Sequence, residues 1–185
     1  MSYQRSQMPT PADAVAALQN AVVQVCESSF FAYVEPCEPD RFAEAVRQLE
    51  RSHRASAGLA PSSIWLKASV SFIGCFAGAI EVVVPEPLAR WLVSSMIGLP
   101  ENEPPAVEMS EHELFDGLGE FANMLCGACL TDLSGSGAFE LRPPAVTRMA
   151  LEWSPAAGWG KQDDEGCRLC VNDVPARIRV RFSTD

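Results

Sequence analysis

Apolar positions along this chain follow two periods. From Thr10 onward, Val15, Leu18, Val22 and Val25 recur at helical spacing, so a helix running to about Ser28 has one apolar face. Thr10 suits its cap and Pro11 its first helical position. Phe30–Val34 then reads as a short strand, ended by Pro36 and Pro39. Asp40 caps a second helix with Phe42, Val46 and Leu49 on one side; Arg41, Glu44, Arg47 and Arg51 lie on the other. At Ile64–Phe72 the period changes. Ile64, Leu66, Ala68, Val70 and Phe72 alternate with Trp65, Lys67, Ser69 and Ser71, which predicts a half-buried strand. Gly74 and Gly78 bracket a turn, Ala79–Val84 is the hairpin partner, and Pro85 stops it. A short helix over Pro87–Ile97 closes at Gly98, and Leu99–Val107 is a Pro-rich, acidic connection.

The clearest helix spans Ser110–Leu133. Ser110 and Glu113 match the capping box, in which each side chain satisfies the other's backbone N–H. Ser134-Gly135-Ser136-Gly137 ends it. Strands follow at Phe139–Arg142, Val146–Glu152, Cys167–Val171 and Arg177–Phe182, with a loop over Ser154–Gly166 and a turn at Asn172-Asp173. In the last strand Arg177, Arg179 and Arg181 alternate with Ile178, Val180 and Phe182, which predicts an edge strand with a solvated side. One-sided strands and two long striped helices, Pro11–Ser28 and Ser110–Leu133, predict an α/β (α+β) fold: an antiparallel sheet packed against those helices.

Composition narrows the function classes. The 185 residues fit one domain, expected over residues 10–185 after a flexible N-terminus at residues 1–9. A net charge of −10 repels phosphate backbones and anionic lipid, so neither nucleic acid nor membrane is expected as the main partner. No stretch reaches the roughly 18 consecutive apolar residues of a membrane helix. The start, MSYQRSQMPTP, lacks the apolar centre of a signal peptide, so the expected compartment is the cytoplasm. Seven cysteines, an odd number set in apolar segments, read as reduced buried thiols rather than a disulfide framework. Trp65, Trp91, Trp153 and Trp159 read as core or rim aromatics.

On a helical wheel, Leu114, Phe115, Leu118, Phe121, Ala122, Leu125, Cys126 and Cys129 gather on one side of Ser110–Leu133. Asp116, Glu120, Asn123 and Gly127 gather on the other, spaced so that their side chains are neighbours. Most such rows are only solvated helix faces. Asn123, however, is a poor residue for a helix interior, and Gly127 costs roughly 1 kcal/mol relative to Ala. A flat spot beside an Asn suits close approach by another molecule.

The run Asp116-Gly117-Leu118-Gly119-Glu120-Phe121-Ala122-Asn123-Met124-Leu125-Cys126-Gly127 resembles the motif of the CheC/CheX/FliY chemotaxis phosphatases, most closely CheX-like domains. That motif is an Asp or Ser, a Glu four residues on and an Asn three further, with a Pro some twenty residues downstream; Pro143 and Pro144 stand in about that place. Gly78–Gly98 is similar to the family's strand, Pro-containing turn and short helix. The resemblance covers residues 64–145. It implies a phosphatase that hydrolyses the aspartyl phosphate of a CheY-like response-regulator receiver domain. It implies catalytic roles for Glu120 and Asn123 and partner-binding roles for Asp116 and Gly127. It also implies a homodimer associating through its sheets, for which the final strand offers an edge. The chain needs no cofactor of its own, because the receiver supplies Mg²⁺. Three features depart from the pattern. Asp40–Ala60 is longer and more helical than in the family, Ala128 stands where an Asn is common, and only one Glu-x-x-Asn copy is present. The last favours the single-site CheX type.

The residue types suit that reaction. An aspartyl phosphate is a reactive mixed anhydride, so the task left is to place water in line behind phosphorus. A side-chain amide can accept from the water through its oxygen and donate through its NH₂. By the resemblance, Glu120 pairs with the receiver's active-site lysine. Two rivals stand beside this reading. A non-catalytic receiver-docking or flagellar-switch-like module uses the same surface without the chemistry. A zinc site draws on Cys126-Gly-Ala-Cys129 and Cys167-Arg-Leu-Cys170, although the first pair falls on the apolar helix face and strand alternation sends the second pair to opposite faces. A His112/Asp116/Glu120 metal row is weaker, because no ligands from other elements are in view.

Overall fold

Helix α1 (Pro11–Phe30) opens with a reciprocal cap: Asp13 N–H donates to Thr10 Oγ1 at 3.2 Å, and Thr10 N–H donates to Asp13 Oδ2 at 3.1 Å. The computed structural model describes residues 8–57, 64–98, 109–134, 137–149 and 166–183. Expectations for residues 1–7, the 99–107 connection, the far end of the Val146–Glu152 strand, Trp153, Trp159 and the 154–165 loop lie outside them. The remaining elements are β1 (Val34–Pro36), α2 (Pro39–Ala57), β2 (Trp65–Ile73), β3 (Ala77–Pro85), α3 (Glu86–Met96), α4 (Glu111–Ser134), β4 (Glu140–Leu141), β5 (Ala145–Arg148), β6 (Gly166–Val171) and β7 (Val174–Phe182).

All pairings are antiparallel. The sheet runs β1-β6-β7-β3-β2-β4, with β5 also on the outer side of β2. The β2–β3 hairpin and the β6–β7 hairpin form as the alternation predicts. Asn172 and Asp173 turn the second one with φ of 47° and 64°, the left-handed pair that tight hairpins favour. Leu66, Ala68, Val70 and Phe72 of β2 are all buried at 1% exposure or less. They face α1, α3 and α4, which cover this side of the sheet in one continuous apolar core. The two long helices pack side by side, with Phe30 of α1 set edge-on against Phe121 of α4 at 5.5 Å.

Three expectations need correction. The strand proposed for Phe30–Val34 is displaced to Val34–Pro36, because Phe30 is the last residue of α1 and its ring is core. Phe31 ends the helix in the left-handed conformation, φ 51°, with its N–H on Cys26 O. Ile64 is 41% exposed, and the strand begins at Trp65. Its alternate face is not simply solvated, because α2 packs there. Phe42 and Val46 of α2 join Trp65, Val83, Cys37 and Cys170 in a second, smaller cluster across the sheet. The third correction is β7, which is interior, between β6 and β3, and not an edge. Arg177 is buried, Arg179 forms an ion pair with Glu81 directly opposite on β3, and only Arg181 is exposed. Charge alternation in one strand cannot reveal a carboxylate on the strand beside it.

Candidate functional site

Helix α4 begins as its sequence dictates. Ser110 N–H donates to Glu113 Oε2 at 2.8 Å and Glu113 N–H donates to Ser110 Oγ at 3.3 Å. The Ser110 hydroxyl, followed by its backbone N–H, holds the Glu113 carboxyl below its ordinary range. Arg148 of β5 reaches Glu111 at 2.8 Å and Glu86 at 3.2 Å, and so ties the starts of α4 and α3 to the sheet edge.

The wheel assignment holds residue by residue. Leu114, Leu118, Phe121, Ala122, Leu125, Cys126 and Cys129 are buried; Phe115 is partly buried against the same core. Asp116 and Glu120 are exposed, and Asn123 and Gly127 are partly exposed. Asn123 Nδ2 donates to Glu120 Oε2 at 3.3 Å. With its nitrogen turned to the carboxylate, the amide keeps its carbonyl oxygen to accept from something outside. Asp116 Oδ2 lies 2.9 Å from His112 Nδ1, one turn earlier on the same exposed face. Above Gly127 a Cβ would meet nothing within 4 Å, so that position is open to an incoming surface.

Two glycines of the same run do a different task, which periodicity did not single out. A Cβ on Gly117 would stand 2.6 Å from Val93 Cγ1 of α3, and one on Gly119 2.8 Å from Pro144 Cγ, just before β5. Real Cβ atoms essentially never come so close, so a side chain at either position would force its neighbour to shift, and Gly permits the close approach. Of the two downstream prolines, Pro144 is seated against the residue before Glu120. Two glycines flanking one apolar residue inside a helix were the available signal.

The metal rivals find no support in this geometry. Burial pushes the Cys126, Cys129 and Cys167 thiols up to about 12. Cys170 lies across the sheet in the α2 cluster, so the two pairs do not converge. Among the described residues no group of three or more His, Cys, Asp or Glu side chains could hold a metal ion. No helix among them is long and apolar enough to cross a membrane.

The family model described as chemotaxis phosphatase CheX matches residues 66–152, the stretch that carries nearly all of β2 and then β3, α3, α4, β4 and β5. Over that stretch the chain is similar to the CheX type of the CheC/CheX/FliY family. The CheX-like fold extends well beyond the matched stretch. A chemotaxis protein CheX from Vibrio vulnificus superposes with a TM-score of 0.60 at 16% identity, covering 95% of this chain and 99% of that one. A chemotaxis protein CheX from Desulfovibrio desulfuricans gives 0.59 at 14% identity, over 92% and 99%. FliY from Thermotoga maritima gives 0.52 at 13%, over 99% and 92%. At these identities the likeness is one of fold. No curated protein sequence matches the chain.

Proposed function

We propose that this chain hydrolyses the aspartyl phosphate of a CheY-like receiver domain, with Asn123 positioning the attacking water and Glu120 docking into the receiver's active site. The observation that carries this reading is the hydrogen-bonded pair of exposed Glu120 and partly exposed Asn123 on α4. It lies within the residues that match the phosphatase family model. The water oxygen attacks phosphorus, the bond from phosphorus to the aspartyl oxygen breaks, and a carboxylate and inorganic phosphate leave. The receiver contributes the Mg²⁺ that neutralises the phosphoryl oxygens. The chain's own task is orientation: the Asn123 carbonyl oxygen accepts from the water, while Glu120 faces the receiver's lysine and fixes the register. Asp116 and the open surface above Gly127 belong to the docking face. Residues 10–185 act as one unit in the cytoplasm, where receivers work. A homodimer belongs to the same reading. Because β7 is interior, a second copy would add to β1 or to the β4–β5 side.

The test is phosphate release from a phosphorylated receiver in Mg²⁺. Asn123→Ala should slow the accelerated reaction on the order of a hundredfold, with receiver affinity and melting temperature nearly unchanged. Glu120→Ala should weaken docking and turnover together. A docking module without chemistry predicts no acceleration by the unmodified chain. Full activity of Asn123→Ala on a receiver that the chain accelerates would remove Asn123 from the mechanism.

A further inference from the structure

The cluster beneath α2 contains two thiols in contact. Cys170 Sγ lies 3.3 Å from Cys37 Sγ, and both side chains are buried, at 2% and 7% exposure. The backbone explains the meeting. Strand β1 pairs with β6 in the register Glu35↔Cys170 and Pro36↔Leu169. The ladder continues one residue past β1, where Cys37 N–H donates to Arg168 O at 2.9 Å. Cys37 and Cys170 are therefore diagonal neighbours on the same face of an antiparallel pair, close enough for side chains to touch. Closing a disulfide would bring the sulfurs from 3.3 Å to about 2.05 Å. No other pair among the seven cysteines, all described and all free, has its sulfurs in hydrogen-bond contact. Arg41, held by Glu35 at the edge of the sheet, lies near enough to interact electrostatically with both sulfurs and favours the thiolate at Cys170. Burial acts the other way and pushes that thiol up to about 12.

We propose that Cys37 and Cys170 form a disulfide site, closed by a small peroxide. The oxidant must be small, because neither sulfur is open to a bulky reagent. The Cys37 sulfur attacks one peroxide oxygen, the O–O bond breaks, and the leaving hydroxide takes the thiol proton as water. The Cys170 sulfur then attacks the sulfenic sulfur of Cys37. The S–O bond breaks and a second water leaves. The two cysteines lose two electrons and the peroxide becomes two waters. The product staples β1, a three-residue edge strand, to β6 beneath α2. Such a link closes a long loop of chain, the case in which cross-links restrict the unfolded state most.

The experiment uses the full chain, reduced, freed of reductant and exposed to hydrogen peroxide. Remaining thiols are alkylated after denaturation and the peptides are mapped by mass spectrometry. A cross-linked peptide joining Cys37 to Cys170 is expected, two hydrogens lighter than the reduced pair and reversed by dithiothreitol. The oxidised chain should melt several degrees above the reduced one. Cys37→Ser and Cys170→Ala should each abolish the link and the shift; the unmodified chain alone decides the matter if either variant fails to fold. Oxidation confined to exposed Cys75, with Cys37 and Cys170 both still alkylated, would overturn the proposal, as would a link between any other pair.

Discussion

The two faces of the sheet are built on opposite terms. The face beneath α1, α3 and α4 is lined by Leu66, Ala68, Val70, Phe72, Ile80, Val82, Val84, Ile178 and Val180, with no charged side chain among the described residues of its buried core. The other face carries Lys67, Glu81, Arg177 and Arg179 beside Trp65, Val83 and Cys170, and α2 packs against β6 and β7 there. The first face gains from every apolar group removed from water. The second depends on charges meeting their partners at low exposure, where a charge left alone is costly. The contrast explains where the candidate chemistry can sit. A wholly apolar platform anchors α4 on its inner side and leaves its outer row with no structural duty.

The strongest challenge to this contrast is a cavity in the apolar face. Leu125 is fully buried on α4, and Leu125→Ala should cost about 3 kcal/mol, read as a lower denaturant midpoint with unchanged slope. On the charged face, Glu81→Ala leaves Arg179 without the carboxylate opposite it. It should cost about 2 kcal/mol, less than full burial would because the pair is partly solvated, and should leave receiver dephosphorylation intact. Loss of activity there would mean that the two faces are coupled.

Smaller effects belong to α4 itself. Ser110→Ala removes a cap and should cost about 1 kcal/mol near neutral pH. The Glu113 carboxyl, held below its ordinary 4.5 by Ser110, contributes stability above that value and loses it as pH falls through its depressed folded value. The gap between the unmodified chain and Ser110→Ala should therefore narrow in acid, as melting curves at neutral and acidic pH would show. Gly127→Ala should gain somewhat under 1 kcal/mol, since a Cβ there meets nothing within 4 Å. If that open spot receives the receiver, the same change should weaken its binding, a gain in stability set against function. Equal affinity would take Gly127 out of the docking face.

Much of the candidate site was legible because α4 is long, capped and sharply two-sided. Its start, its buried stripe and its Asp116–Glu120–Asn123 row all follow from local periodicity. The hairpin of β2 with β3 was legible for the same reason. What could not be read were relations between distant segments. Nothing in Arg177–Phe182 says that β3 and β6 flank it, or that Glu81 waits opposite Arg179. Nothing in Trp65 says that α2 will cover it. Phe30 misled because a run of aromatic and β-branched residues scores as strand, whereas its ring is drawn into the α1–α4 contact by Phe121. The task of Gly117 and Gly119 could not be read either, because Val93 and Pro144, the surfaces they admit, belong to other segments.

Those two glycine seats bear on the speed of recognition. Val93 presses on α4 from one flank and Pro144 from the other, within one turn of Glu120. Backbone held this way is ordered before any partner arrives. An ordered surface surrenders little conformational entropy on association, and its capture rate is set by diffusion and orientation rather than by a search among its own conformers. If the phosphorylated receiver proposed above is the partner, it is a short-lived message, and a surface that needs no rearrangement would answer it at first encounter.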